Sequence, residues 1–588
     1  MVDDARAFWS DVSCWVVAGV FVLGIVVLGV RLKAVQVDGV ADSKYDLRRQ
    51  SLRRVQVAGG RGRILARDGT VLADNRTILS VTVDASRYKG RDWEQTAGEI
   101  ERALAAAAEV IGRPPEADGE DVRRHLRRSI SRPLVAWRDI SEGELARFAE
   151  HERLLPGFAC ETGEKRVYPQ GRFAGQLLGY VGRDLIPAAR GERFSFREFE
   201  MRGRAGLEDS YDSYLRGVPG ERDLQVDSRG FVHREWSVVD PKRGPDLRLT
   251  IDVDVQRAAE RQLADVTGAC VVLDPRDGAV LALASSPTYD PNDMVPVLTE
   301  SRYAESLACR NLASCGRYAP GSTFKPVVAL AAMSAGIDPD AVYDCTGAYE
   351  LGTMRVRCAR TWGHGEIGVR EALRESCNAF FCNIGMETGT NAVFAAARAF
   401  GLGAKTGLDF PEDEGLVPDD EYRRRRRGER WYPGDLAQLS IGQGKLVVTP
   451  LQMARVIGAL EKGWLVTPRL NADLPVERRL VEGFTPGQFA IVREGLRMVV
   501  DGGTGSRGGE GVAAEVSGKT GTAEVGAGER RYKNTWFVAY ACSNGASRPD
   551  AAGREVAVAM VVEHGESGGG TTAPRVAEIL KTIFNRYD

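Results

Sequence analysis

The sequence predicts an α+β protein in three parts: an apolar N-terminal helix within residues 1–35, a mixed α/β middle domain at 36–240, and a larger C-terminal domain at 245–588 built on an antiparallel sheet flanked by helices. Three observations predict it. An uncharged apolar run spans Val12–Val30; the texture changes near Arg248 from short charged segments to longer apolar runs with regular turns; and two buried-strand patterns near the C-terminus precede an apolar helical stripe. At about 100–200 residues per domain, a chain of 588 residues has room for two to four full cores.

The run VSCWVVAGVFVLGIVVLGV, Val12–Val30, is just long enough to cross a hydrocarbon core as a helix. Arg31, Leu32 and Lys33 follow where a cleaved leader would carry small residues, so the run is expected to stay as a single-pass anchor. Asp3, Asp4 and Asp11 before it and Arg31 and Lys33 after it do not favour a cytoplasmic N-terminus. Long following domains are often exported regardless of that bias. The expectation of an extracytoplasmic domain therefore rests on the chemistry below.

A basic amphipathic stretch runs to about Ala58, and RGRILARDGTVLADN, Arg61–Asn75, then reads as strand, turn, strand. Asp68-Gly69 between apolar runs is a hairpin signal of the type I′ kind, which needs positive φ at both central residues. Trp93–Gly112 contains ERALAAAAEVIG, a helix that should stop at Gly112-Arg113-Pro114. Up to about Val239 short helices and strands alternate without a catalytic constellation, which implies a structural or partner-binding role.

The C-terminal domain opens with LRLTIDVDVQRAAERQLADV and a hairpin, GACVVLDPRDGAVLALASSP, turning at Asp277-Gly278. NTWFVAYA and REVAVAMVVEH read as buried strands, and Val576, Ile579, Leu580, Ile583 and Phe584 make one helical stripe. The glycines from Gly502 to Gly511 suggest a mobile loop. A net charge of -2 makes nucleic acid an unlikely partner, and the run Arg423–Arg427 is surrounded by Glu421, Glu429 and Asp435, as in a solvated loop.

The chemistry-bearing segment is RYAPGSTFKPVVALAAM, with Ser322 and Lys325 at S-x-x-K spacing on one helical face. Pro326 is tolerated only in a first turn, so the helix must begin near Ser322, placing the hydroxyl at its positive end. Lys325 must be neutral to take the serine proton, a state that burial and nearby cations promote. Alone this spacing is weak evidence. Ser376-Cys377-Asn378 in RESCNAFFCNIG and Lys519-Thr520-Gly521-Thr522 in EVSGKTGTAEV complete the order S-x-x-K, S-x-N, K-T-G, the signature of penicillin-binding proteins and class A β-lactamases. Ser376 is expected to relay a proton to a leaving amine and Asn378 to hold a substrate peptide amide. Lys519 and Thr520 are expected to bind a terminal carboxylate, with Gly518 and Gly521 letting substrate backbone lie along an open strand edge. Backbone amides of Ser322 and Thr522 would form the oxyanion hole.

From about Arg61 to the C-terminus the chain resembles the class B penicillin-binding proteins. RGRILARDGTVLA, GRFAGQLLGYVG and GRAGLEDSYDSYLRGVPG look like that family's pedestal motifs, and IGQGKLVVTPLQMA like its post-active-site signature. The resemblance implies a pedestal of the dimerisation type at 36–240 and a penicillin-binding transpeptidase domain at 245–588. It implies D,D-transpeptidase activity: release of D-alanine from D-alanyl-D-alanine stem peptides of peptidoglycan and transfer of the acyl group to a neighbouring amine, with β-lactams acylating the same serine. It also implies residence in the inner (plasma) membrane with the catalytic domain periplasmic. No stretch resembles a glycosyltransferase domain, so a separate membrane glycosyltransferase is an expected partner.

CARTWGHGEIGVREALRESCNAFF, FGLGAKTGLDFPEDEGLVP and RWYPGDLAQLSIGQG look more like the elongation type, penicillin-binding protein 2, whose partner would be the rod-shape polymerase. Asn378 stands where that type usually has aspartate, which keeps a division-type septal enzyme as an alternative. A D,D-carboxypeptidase or β-lactamase would use water as acceptor through the same motifs. A β-lactam receptor would need an intracellular effector, for which the segment before the helix is short.

No organic cofactor is expected. Four metal-type residues, Cys345, Cys358, His364 and Cys377, flank the serine motifs, and three thiolates with one imidazole satisfy a tetrahedral structural zinc, although the spacing is not that of a zinc finger. Elongation-type relatives can carry a metal at similar positions. Cys377 lies between Ser376 and Asn378, so a metal would hold that loop in place. A Cys345–Cys358 disulfide and simple burial are the alternatives; Cys309 could pair with Cys315, Cys14 lies in the anchor, and Cys382 should pack in a helix.

Overall fold

A computed structural model describes residues 2–34, 52–88, 91–128, 133–185, 195–197, 199–226, 232–294, 310–419, 422, 431–526, 531–543 and 553–585. The arginine run at Arg423–Arg427 and the Cys309 pairing lie outside them. The N-terminal run folds as one helix, Val2–Lys33. Its apolar part, Trp15–Lys33, is exposed throughout and buries nothing against the other described residues. Its 19 residues measure about 28 Å, matching a hydrocarbon core of roughly 30 Å.

The middle domain is organised by the long strand Val71–Val83, which pairs antiparallel with Phe158–Val167 and with Leu134–Trp137. Helix Trp93–Ile111 covers that sheet. Asp92 caps it by accepting from Gln95 N, and Gly112 ends it at φ 81°. Ala97, Ile100, Leu104, Ala107 and Ile111 recur at helical spacing and bury against Val81, Val83 and Trp137. The hairpin at Asp68-Gly69 forms, but not with a type I′ turn. Gly69 alone has positive φ, 88°, its N–H bonds Ala66 O, and the register slips between Ile64 and Leu65. A longer connection relaxes the demand for two left-handed residues.

Two of the quoted stretches of the middle domain, those at Arg61 and at Glu208–Asp212, meet with Arg166 in a buried ion cluster. Arg61 donates to Glu208 at 2.6 Å and Asp212 at 2.7 Å, while Arg166 reaches the other Glu208 oxygen at 2.7 Å. Strand Leu247–Arg248, at the entry to the C-terminal domain, pairs in parallel with Ile64–Leu65. The middle domain is thereby joined to the C-terminal domain through backbone hydrogen bonds as well as through the chain.

The C-terminal domain contains a five-stranded antiparallel sheet in the order 280–286, 268–273, 555–562, 532–542, 515–525. Helices Val253–Leu263 and Ala573–Phe584 cover one face, burying Val255, Ala259, Val576, Ile579 and Leu580 with Phe537 and Met560. Helices Lys325–Ser334 and Pro450–Lys462 pack on the other face. With both faces covered, NTWFVAYA and REVAVAMVV carry no polar alternation. The glycines of 502–511 do not make a loose loop. A Cβ at Gly508 would stand 2.3 Å from Phe537 Cζ, so the segment is glycine-rich because it lies directly on the Phe537 ring.

Candidate active site

Ser322 sits in the tight turn Gly321–Phe324, which runs straight into helix Lys325–Ser334 with Pro326 in its first turn. Gly321 takes φ 55° and donates its N–H to Gly442 O at 2.8 Å, so the IGQG stretch props the turn from behind. The Ser322 hydroxyl makes no hydrogen bond among the described residues. Lys325 is fully buried, and its ammonium donates to Ser376 O at 2.7 Å, Asn378 Oδ1 at 2.7 Å and Ser376 Oγ at 3.3 Å. Burial pushes its pKa down to about 8, against the upward pull of the nearby Cys377, Cys382 and Cys358 sulfurs.

Ser376 links helices Val369–Arg374 and Asn378–Thr388. It adopts φ 53°, a left-handed conformation that costs a non-glycine residue roughly 1–3 kcal/mol and persists only where the surroundings impose it. Here Ser376 N bonds Leu373 O and Cys377 N bonds Ala372 O, holding the turn so that Ser376 Oγ faces both lysines. Asn378 is held at both ends, its amide donating to Arg357 O at 2.8 Å and its oxygen accepting from Lys325.

Lys519 lies on the edge strand Glu515–Val525 and is fully buried. Its ammonium donates to Ser376 Oγ at 2.9 Å, and burial together with the Lys325 charge holds its pKa well below the usual lysine range. Thr520 Oγ1 is 2.9 Å from Thr504 Oγ1, and Thr522 Oγ1 accepts from Gly568 N at 3.4 Å. The glycines of this strand answer a different need from the one expected. A Cβ at Gly521 would meet Thr323 Cγ2 at 2.8 Å and Pro320 O at 2.9 Å, so Gly521 lets the strand lie against the serine turn itself. A Cβ at Gly518 would meet Val538 O of the neighbouring strand at 2.7 Å.

The three motifs thus converge: Lys325, Ser376, Asn378 and Lys519 form one hydrogen-bonded group, with Ser322 one turn from Lys325 and the Thr520–Thr522 segment along the cleft. Arg357, whose carbonyl holds Asn378, and Thr504 were not expected from the sequence. A carbonyl acceptor leaves no trace in residue type, and a threonine among glycines reads as loop.

Cys345, Cys358, His364 and Cys377 offer ligand atoms all within 4.8 Å of one another. Cys345 and Cys358 sulfurs are 3.6 Å apart, those of Cys358 and Cys377 3.7 Å, and Cys345 Sγ is 3.3 Å from His364 Nδ1. The sulfur separations are those of thiols, not of a disulfide. They match the edge of about 3.8 Å that zinc–sulfur bonds of about 2.3 Å give a tetrahedron. Cys358 and Cys377 titrate as a pair: the hydrogen bond from the Cys377 thiol favours the Cys358 thiolate and holds the proton on Cys377. Cys382 packs in helix Asn378–Thr388 with its thiol toward Ala437 O.

Against known proteins, residues 268–581 match the family described as penicillin binding protein transpeptidase domain, and residues 56–249 match the penicillin-binding protein dimerisation domain. The peptidoglycan D,D-transpeptidase MrdA of Acinetobacter baumannii is 29% identical over 97% of this chain and 86% of its own length. A chain in a structure titled as structural coordination of polymerization and crosslinking by a peptidoglycan synthase complex superposes with a TM-score of 0.72 at 28% identity, covering 97% of this chain and 98% of that one. The Pseudomonas aeruginosa PBP2 crystallised with WCK 5153 gives a TM-score of 0.63 at 27% identity, covering 90% of this chain and 96% of that one.

Proposed function

The chain belongs to the class B penicillin-binding proteins, as a peptidoglycan D,D-transpeptidase of the elongation type, and from that premise we propose how its residues divide the reaction. The observation that carries the assignment is the convergence of Lys325 and Lys519 on Ser376 Oγ, one helical turn from an unbonded Ser322 hydroxyl. Lys325 takes the Ser322 proton as Oγ attacks the carbonyl of the penultimate D-alanine. The amides of Ser322 and Thr522 receive the developing oxyanion. Ser376, between the two lysines, passes a proton to the departing D-alanine amine, and an acceptor amine then takes the acyl group from Ser322.

Lys519 and Thr520 bind the donor's terminal carboxylate. Two buried ammonium groups sharing one acceptor oxygen disfavour each other's charge, and an arriving carboxylate favours charge on Lys519. That leaves Lys325 as the neutral base. Asn378 keeps a free lone pair on its oxygen for a substrate amide.

Cys345, Cys358, His364 and Cys377 hold a structural zinc. Bound there, zinc would supply a cross-link between these segments, and Cys377 would carry its hold to the Ser376 turn on one side and the Asn378 helix on the other. The apolar N-terminal helix anchors the chain as a single pass in the plasma membrane, with the rest extracytoplasmic. A membrane glycosyltransferase of the rod-shape polymerase type supplies the strands to be cross-linked; the likeness to a synthase complex that joins polymerization to crosslinking supports this.

The test is labelling with a fluorescent penicillin followed by digestion: label is expected on the peptide containing Ser322 and absent from a Ser322→Ala variant. Incubation with donor and acceptor peptides separates cross-linked product from hydrolysis, and hydrolysis alone would assign a carboxypeptidase instead.

A further inference from the structure

We propose that Thr504 is a positioning residue for the donor carboxylate, acting by setting the direction in which the Thr520 hydroxyl donates its proton. The inference rests on the assignment of Thr520 to that carboxylate. Thr520 is nearly buried, and its hydroxyl has one hydrogen-bond partner among the described residues, Thr504 Oγ1 at 2.9 Å. Thr504 is itself exposed, and its hydroxyl lies 3.3 Å from Arg374 O. Its main chain is clamped from two sides. Thr504 N donates to the same Arg374 carbonyl at 3.3 Å, and a Cβ at Gly569 would stand 2.3 Å from Thr504 O.

Two hydroxyls at this separation share one proton between them, and each can give only one. With the cleft free of substrate, Thr504 donates to Arg374 O and Thr520 donates to Thr504. When a carboxylate arrives, the Thr520 proton must turn outward to it, and Thr504 then turns its own proton from Arg374 O to the Thr520 oxygen. The Arg374 carbonyl keeps the Thr504 N–H, so no polar group loses its last partner during the exchange. Without the Thr504 hydroxyl, Thr520 would have no neighbour to hold its lone pairs toward the protein, and its proton would no longer be aimed into the cleft. Arg374 lies two residues before Ser376, so the same contacts tie the K-T-G strand to the S-x-N turn.

The experiment compares acylation of the full-length protein by benzylpenicillin, which carries the carboxylate, and by its neutral methyl ester, using Thr504→Val, Thr504→Ser and Thr520→Val. Thr504→Val should slow acylation by benzylpenicillin roughly tenfold, the loss of one hydrogen bond to a charged group, and slow the ester less than about twofold. Thr504→Ser should restore the benzylpenicillin rate to within about threefold. Equal slowing of both probes by Thr504→Val, or no slowing of either, would overturn the inference. Thr520→Val separates the two levels: if it discriminates between the probes and Thr504→Val does not, the Thr504 inference alone fails. If Thr520→Val slows both probes alike, the carboxylate assignment fails and the Thr504 inference with it.

Discussion

Lys325 and Lys519 donate to the same oxygen, Ser376 Oγ, at 3.3 and 2.9 Å. Both side chains are buried, and burial together with the Lys325 charge makes a charge on Lys519 hard to hold. The consequence is a pH dependence whose sign follows from Lys325 acting as base. The neutral amine accepts the Ser322 proton, and with a pKa near 8 its fraction grows as pH rises through that value. Acylation by a β-lactam should therefore climb about tenfold per unit below pH 8 and level above it. A profile flat between pH 6 and 8 would remove Lys325 from the role of base.

Replacing the shared acceptor is the complementary measurement. Among the described residues, Ser376→Ala leaves the Lys519 amine with only the carbonyl of the following residue, Thr520, at 3.2 Å, and it deprives the leaving amine of its relay. Turnover of a D-alanyl-D-alanine peptide should fall by roughly 10²–10⁴, the usual range for a general acid–base group. Steady-state release of D-alanine reads this directly, and a loss below fivefold would mean that another group delivers the proton.

The serine, S-x-N and K-T-G residues are legible in the sequence because the chemistry dictates residue type and short spacing together. The anchor and the buried strands are legible because a run apolar on all sides has few places to go. What is not legible is long-range packing. Gly521 is glycine because Pro320 and Thr323 lie against it, about two hundred residues away in the chain, and Gly508 because Phe537 does, about thirty residues away. The joint hold of both lysines on Ser376 depends on a left-handed serine that no local propensity would suggest. The Asp68-Gly69 turn departs from type I′ for a related reason: the pair fits several hairpins, and loop length chooses among them.

Metal removal should act on order and stability as well as on rate. The protein as purified is expected to contain about one zinc per chain by elemental analysis, and Cys345→Ser, which lies between the S-x-x-K and S-x-N motifs and in neither, should lower that content sharply. A strong chelator should lower the melting temperature by a few degrees for each kcal/mol of cross-link lost, and slow β-lactam acylation in parallel because Cys377 adjoins both Ser376 and Asn378. Restoring zinc should recover both. A metal-free preparation with unchanged melting and acylation would leave the four residues as a buried thiol cluster.

The pedestal's ion cluster sets a different kind of test, because it bears on stability without touching the reaction. Glu208 is fully buried and accepts from Arg61 at 2.6 Å and Arg166 at 2.7 Å, while Asp212 accepts from Arg61 at 2.7 Å. Bringing these charges out of water is costly, and the cluster holds only because each guanidinium has a carboxylate at contact. Glu208→Gln keeps the shape but leaves two buried arginines to share Asp212 and neutral acceptors. Breaking a buried pair in this way typically costs about 3–5 kcal/mol, so the variant should unfold at lower denaturant than the parent. Because Arg61 lies three residues before Ile64, the loss should appear first in hydrogen exchange of Ile64–Leu65 and Leu247–Arg248, which pair in parallel. Fluorescent penicillin should still label Ser322 in the folded fraction at a rate within about threefold of the parent. Equal stability of parent and variant would mean that the arginines find water or other acceptors in place of Glu208.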